Sequence, residues 1–479
     1  MRISRIVAML VLFFGTAFTH AQCGGVSPVM IGSVTWTPQW CDEFNGAANS
    51  PIDSKKWTFD TGNLGVNNEL EIYCDQSSNA SPCSSTSPNA FIDGSGHLAI
   101  QVRSPSANIF TSARLKTEGL QTFRAGRIEA SLQFPSHAGL WPAFWLLGSQ
   151  LGVNWPTVGE SDIMENWPTT SNISGPGATG NCSTVHTAVT AGNGKGKCFT
   201  FPSGQQIDTA FHIYGQIWSA NMIQYYIDDP SQPYFVVTPS DLPAGDSWPF
   251  SSSANAFFII MNIAVGGTLG APTDNNTGTQ NPMLADYVRQ YTPSAVPAPQ
   301  LMPSGNITVT AGATTGNTAS INITDIFGSG RVAFSCSTTA PKSSCVVTSS
   351  DAINNHTVDF AHAASSSVTG TVTTTANTSR TARSSFRWTG LASALALFLF
   401  IPIAKRQRRE MWFGLGLFGL AFIVSMPGCG GGSGSGNGGG GGSNGTTPGN
   451  YTVTVNAYTV SSTDAASPSA SANINLTVN

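Results

Sequence analysis

Three carboxylates fall within six residues in Gly159-Glu160-Ser161-Asp162-Ile163-Met164-Glu165-Asn166. In an extended strand, residues two apart share a face, so Glu160 and Asp162 point the same way. Glu165 lies three positions further on. It needs one extra residue, a β-bulge near Ile163-Met164, to return to that face. With the bulge, all three acids line one surface and the apolar residues between them face a core. Two carboxyls held close together suit glycosidic bond hydrolysis with retention: one attacks the anomeric carbon, and the other protonates the leaving oxygen and then activates water. These roles need opposite protonation states, which neighbouring groups enforce, and Asp162 can orient the nucleophile. A solvated acidic face or a calcium site is the plainer alternative. Just upstream stand Trp141-Pro142-Ala143-Phe144-Trp145 and Asn154-Trp155-Pro156. Their indole faces can stack on the apolar faces of sugar rings.

Holding such groups on one face requires a sheet, and residues 22–295 read as one. They carry nine of the eleven Trp. Short runs such as Ile223 to Ile227 and Phe257 to Val265 are bounded by Gly, Pro, Asn and Asp and predict strands. Long helical periodicity is absent, and a single all-β sandwich of this length is ordinary. A proline-rich linker follows at 296–303. Residues 304–386 shift to Thr, Ser, Val and Ala with strand-like alternation and predict a small Ig-like β module. Within 389–426, two apolar runs flank Lys405-Arg406-Gln407-Arg408-Arg409. This pattern predicts a short hydrophobic transmembrane hairpin with the basic loop inside; a single span with a basic stop is the alternative. Residues 428–447 form a glycine-rich linker. Residues 448–479 alternate again as a β-rich fragment, whose pairing with the 304–386 module stays open.

Charge narrows the partners. Lys, Arg, Asp and Glu make up only 10% of the 479 residues, against about 25% in an average chain. Residues 22–295 hold ten Lys or Arg against twenty Asp or Glu. A basic footprint for nucleic acid is missing, and a neutral ligand suits this surface better than a polyanion. Arg2 and Arg5, an apolar run from Ile6 to Phe18, and Thr19-His20-Ala21 predict a signal peptide at 1–21. Export, to the periplasm or beyond, with a membrane anchor is therefore expected. There disulfides are permitted, and the local cysteine pairs are Cys74 with Cys83, Cys182 with Cys198 and Cys336 with Cys345. Cys23 with Cys41 would complete the set, although spacing alone leaves connectivity open.

Residues 36–292 resemble glycoside hydrolase family 16, especially its bacterial laminarinase-like endo-β-1,3-glucanases. The resemblance rests on Gly139-Leu140-Trp141-Pro142-Ala143-Phe144-Trp145-Leu146-Leu147-Gly148, on Trp155-Pro156, and on the Glu-x-Asp-x-x-Glu signature at 160–165. Stretches in the same order support it, among them Asn67-Asn68-Glu69-Leu70-Glu71-Ile72-Tyr73, Ser112-Ala113-Arg114-Leu115-Lys116-Thr117 and Asn262-Ile263-Ala264-Val265-Gly266-Gly267. The resemblance implies an all-β, jelly-roll (concanavalin-like) β-sandwich with a glucan cleft across one sheet. By position it makes Glu160 the nucleophile, Asp162 its helper and Glu165 the acid/base. It places Trp141, Trp145 and Trp155 in the subsites and Asn68, Arg114 and His186 on sugar. It also implies a structural Ca²⁺ away from catalysis, at Glu43, the carbonyl of Gly96 and Asp286, and no cofactor for the chemistry. Ser161 stands where an aliphatic residue is usual, so looser packing is expected there. The expected protein is a monomeric exported endo-glycosidase acting on a β-glucan polysaccharide. The alternatives are a β-1,3/1,4-glucanase, a galactanase, a transglycosylase or a non-catalytic carbohydrate-binding surface protein.

Overall fold

The computed structural model describes residues 23–376 and 445–479, apart from short stretches at 33, 171–172, 203–204, 252–254, 295–297, 325–330, 349–356, 360–364 and 460–467. The expected signal peptide (1–21) and apolar hairpin (389–426) lie outside the described residues, as does the glycine-rich linker up to residue 444. Among the described residues, no helix is long and apolar enough to cross a membrane, and the helical elements are three-residue 3-10 turns.

Two sheets pack face to face. One has seven strands in the order Lys195–Thr200, Gly180–His186, Glu160–Glu165, Leu140–Gly148, Phe257–Val265, Arg114–Lys116 and Thr58–Asp60. The other has nine, with Val34–Asp42, Met283–Pro293, Gly126–Gln133, His212–Ser219 and Met222–Ile227 side by side. This is the jelly-roll sandwich that the sequence implies. Its core takes inward residues from both sheets, including Phe144, Leu146, Ile163, Met164, Ile128, Leu132, Tyr214 and Tyr225. Leu140–Gly148 shows how the pattern works. Leu140, Phe144 and Leu146 enter the core, while Trp141, Ala143, Trp145 and Leu147 line the opposite face, as the two-residue strand period requires.

A second, smaller sandwich follows. Its four-stranded sheet joins Gln300–Pro303, Thr318–Thr324, Ser365–Thr374 and Ser343–Thr348. Its five-stranded sheet joins Ile307–Val309, Ala470–Val478, Gly449–Thr459, Arg331–Thr338 and Thr357–Asp359. The C-terminal strands therefore belong to this sandwich: Gly449–Thr459 pairs antiparallel with Arg331–Thr338, and Ala470–Val478 runs parallel to Ile307–Val309. Val453, Val455, Ile474 and Leu476 complete its core beside Ile307, Ile321 and Val368. Four disulfides form with the pairing set out above: Cys23–Cys41, Cys74–Cys83, Cys182–Cys198 and Cys336–Cys345.

Candidate active site

The strand Glu160–Glu165 lies between Leu140–Gly148 and Gly180–His186. Ala143 faces Glu165 and Phe144 faces Met164, but Trp145 faces Asp162. Ile163 is therefore the extra residue of a one-residue bulge, and the ladder to Gly180–His186 shifts at the same place. The side chains of Ile163 and Met164 both enter the core, and Glu160, Asp162 and Glu165 all reach one cleft. The cleft is lined also by Asn67, Glu69, Arg114, Trp141, Trp145, Trp155 and Asn262.

Each outer acid receives an indole N–H. Trp155 Nε1 donates to Glu160 Oε2 at 3.1 Å, and Trp141 Nε1 donates to Glu165 Oε1 at 3.0 Å. The two tryptophans thus orient the two carboxyls as well as walling the cleft. Trp145 Nε1 donates to Asn262 Oδ1 at 2.9 Å, and the guanidinium of Arg114 lies 4.8 Å from the centre of the Trp145 ring. Arg114 also pairs with Asp60 at 2.9 Å.

His186 sits beside the acids, opposite Glu160 on the adjacent strand, and is not among the residues lining the cleft. Its Nδ1 is 2.5 Å from the carbonyl oxygen of Ala191, an acceptor, so Nδ1 carries a hydrogen. Its Nε2 faces Asp162 Oδ2 at 3.2 Å and Glu160 Oε1 at 3.7 Å. Two acceptors opposite Nε2 favour a proton there too, making the ring a cation. Burial works against that charge, but the bond to Asp162 and the charges of Asp162 and Glu160 lift the His186 pKa to about 10. Among the described residues, Glu160, Asp162 and His186 are the three side chains close enough to share a metal ion, with ligand atoms within 4.8 Å of one another. The imidazolium fills the cation's place.

Both outer acids are protonated more readily than ordinary carboxyls. Burial, and then the charge of Asp162, holds Glu165 well above the usual range. The same two causes raise Glu160 to about 8, against the pull of His186, Arg114 and the Trp155 N–H. Glu160 has the closer cations, so of the two it is the better placed to ionise, and Glu165 is the better placed to keep a proton.

A match to the family described as glycosyl hydrolases family 16 spans residues 53–288. The chain is 31% identical over 268 residues to a beta-glucanase of Rhodothermus marinus, a stretch covering 53% of this chain and 85% of that protein. The chain belongs to glycoside hydrolase family 16. It is 27% identical to a glucan endo-1,3-beta-glucosidase A1 of Niallia circulans over 53% of its own length, spanning 37% of that longer relative. A solved endo-beta-1,3-glucanase from Pyrococcus furiosus aligns with 33% identity, over 56% of this chain and 98% of the other, at a TM-score of 0.48. The protein is accordingly a glycoside hydrolase.

Some expected residues take other places in this family 16 domain. Asn68 is exposed and outside the cleft lining; its neighbours Asn67 and Glu69 are in it. Glu43 gives both oxygens to Arg289, from Nε at 2.9 Å and from a terminal nitrogen at 2.6 Å, while Arg289 stacks 3.6 Å from the centre of the Tyr287 ring. Asp286 is half-buried where the Met283–Pro293 strand shifts register, and Gly96 turns at φ 95°. The Arg289 guanidinium, bonded to both Glu43 oxygens, puts a positive charge where Ca²⁺ would sit against that side chain, and no metal ion enters the chemistry below. Asn262, unremarked as a site residue above, is a lone amide in the otherwise apolar strand Phe257–Val265. That contrast is the signal that could have found it.

Ser161 faces the interior as expected, but its packing is polar. Its hydroxyl donates to Gln216 Oε1 at 2.7 Å and lies 2.6 Å from Tyr225 Oη. Both partners come from the opposite sheet, so the catalytic strand is tied across the core by hydrogen bonds. Ser161→Ala strands the buried Gln216 Oε1 and leaves Tyr225 Oη only its 3.3 Å bond to the Thr184 carbonyl, and is expected to cost about 1–3 kcal/mol, read as a lower denaturant midpoint. Ser161→Val should do no better, because added apolar volume leaves Gln216 Oε1 equally without its donor. A neutral or raised midpoint for Ser161→Val would contradict this account.

Proposed function

We propose that this enzyme is an exported, membrane-anchored endo-glycosidase that cuts internal β-1,3 bonds of laminarin-like glucans with retention. The observation that carries the mechanism is the bulge at Ile163, which turns Glu160, Asp162 and Glu165 into one cleft beside Trp141, Trp145 and Trp155. Glu160 attacks the anomeric carbon while Glu165 gives its proton to the departing glycosidic oxygen. A covalent glycosyl–Glu160 ester results. Glu165, now ionised, takes a proton from water; the water oxygen bonds to the anomeric carbon, and the bond to Glu160 breaks. The Trp155 N–H and the His186 cation favour charge on Glu160 before attack and after release. Asp162, ion-paired to His186, holds that cation in place.

The β-1,3 preference is supported by relatives named beta-glucanase and glucan endo-1,3-beta-glucosidase. Export is supported by the basic and apolar N-terminus and by four disulfides; anchoring is supported by the apolar runs around Lys405–Arg409. The test is product analysis by the purified chain on laminarin, lichenan and agarose. Laminarin should yield short oligosaccharides early, with the β-anomer formed first by NMR. Faster cleavage of agarose than laminarin would refute the substrate assignment, and first-formed α-anomer would refute retention.

A further inference from the structure

The cleft holds a second pair of acids that hydrolysis does not use. Glu69 lines it beside Asn67, Trp141 and Trp145. Glu71, two residues on, is buried at 2% exposure. One Glu71 oxygen accepts the Val265 N–H at 2.6 Å. Burial, and then the charge of Glu69, raises Glu71 to about 8, so Glu71 holds its proton more readily than an ordinary carboxyl.

Donors converge on the Glu69 carboxylate. Asn67 Nδ2 donates to Glu69 Oε1 at 3.1 Å, and Tyr73 Oη donates to Oε2 at 3.4 Å. Tyr73 in turn accepts from Asn262 Nδ2 at 3.1 Å, and Asn262 accepts from Trp145 at 2.9 Å. The chain of donors runs one way, from the cleft tryptophan to Glu69. A carboxylate has about four lone-pair sites. Asn67 and Tyr73 take two, which leaves room for a group in the cleft. Among the described residues no ion pair to Glu69 forms, and the cationic side chain in the lining, Arg114, is paired with Asp60.

We propose that Glu69 is a specificity-determining residue, whose carboxylate accepts a hydroxyl of a neutral β-glucan and repels glycans that carry sulfate or carboxylate groups. This rests on the β-glucanase reading and adds to it the exclusion of anionic polysaccharides.

The test compares kcat/KM on laminarin with that on partially sulfated laminarin, using the full chain. In Glu69→Gln the preference for the neutral substrate should shrink by about tenfold, mostly through a gain on the sulfated one, and the remaining preference should respond less to salt. On laminarin itself KM should rise more than kcat falls. Glu69→Ser, which is smaller and also neutral, guards against a packing artefact and should shift the preference the same way. Glu71→Gln leaves the charge on Glu69 and should keep the preference. An unchanged preference in folded Glu69→Gln and Glu69→Ser, in a chain that cleaves laminarin, overturns this inference alone. An equal loss in Glu71→Gln overturns it too, since charge on Glu69 would then not be the cause. Failure of the unaltered chain to cleave laminarin overturns the β-glucanase reading and this inference with it.

Discussion

Glu160→Ala is expected to abolish glucan hydrolysis while glucan binding survives. In the proposed mechanism this carboxylate forms the bond to the anomeric carbon; it is fixed from one side by Trp155 and from the other by His186. Without it no covalent intermediate forms. A loss of roughly 10⁴-fold in kcat corresponds to about 5.4 kcal/mol of transition-state stabilisation. Binding depends on other atoms: the indole faces of Trp141, Trp145 and Trp155 remain, as do Arg114 and Asn262. The fold should not suffer. Glu160 is raised by burial and by Asp162, so the site holds like charges at a cost, and removing one relieves it. Melting should therefore occur at the same temperature or higher, an exchange of stability for function. Reducing-sugar release and calorimetric titration with a laminarin oligosaccharide provide the two readouts. Hydrolysis within tenfold of the unaltered chain would remove Glu160 from the role of nucleophile.

The catalytic strand was legible because its pattern breaks a rule. Strict alternation puts Glu165 behind the sheet, and three acids in a charge-poor chain need a shared solvent-facing cleft. A bulge is the smallest backbone change that supplies one, and Ile163 is where it occurs. The disulfides were legible for a related reason, since nine- to eighteen-residue separations suit hairpins and adjacent strands. Asn68 is expected on sugar from the family resemblance, whereas its neighbours Asn67 and Glu69 line the cleft. Asn67 and Asn68 both have positive φ, 50° and 58°, and two left-handed residues in a row reverse which neighbours point inward. Glu69 and Asn67 reach the cleft as a result.

What stayed hidden depends on partners far along the chain. Ser161 reads locally as a small polar residue in an apolar slot. Its meaning comes from Gln216 and Tyr225, 55 and 64 residues later, and no local pattern announces them. The C-terminal strands posed the same problem on a larger scale. Tyr451-Thr452-Val453-Thr454-Val455 shows the strand period, but the period does not name a partner. Pairing with Arg331–Thr338 crosses more than a hundred residues, and only the shared core of Ile307, Val368, Val455 and Leu476 accounts for it.

Glu165→Ala is expected to produce a different failure from Glu160→Ala, and the contrast tests the division of labour between the two acids. On laminarin the leaving oxygen needs a proton, so turnover should fall by roughly 10²–10⁴. On an aryl β-glycoside with an acidic phenol as leaving group, no proton is needed and the glycosyl–Glu160 ester still forms. It then persists, because the base that activates water is missing. Azide, already a nucleophile, should fit the space left by the carboxyl and attack the ester from the face opposite Glu160. The bond from the anomeric carbon to Glu160 breaks as the bond to nitrogen forms, and the product is the β-glycosyl azide. The pH profile should change in step. In the unaltered chain, burial and Asp162 hold Glu165 protonated well above the usual carboxylate range. Activity on laminarin is therefore expected to rise as Glu160, held up to about 8, ionises, and to fall as pH rises through the Glu165 pKa. In Glu165→Ala that alkaline limb should be absent for the aryl glycoside, because the group that titrates is gone. An α-glycosyl azide, or no azide rescue in a variant that still folds, would remove Glu165 from the role of acid/base and leave the carboxyls of the 160–165 strand without the separation of roles that the bulge makes possible.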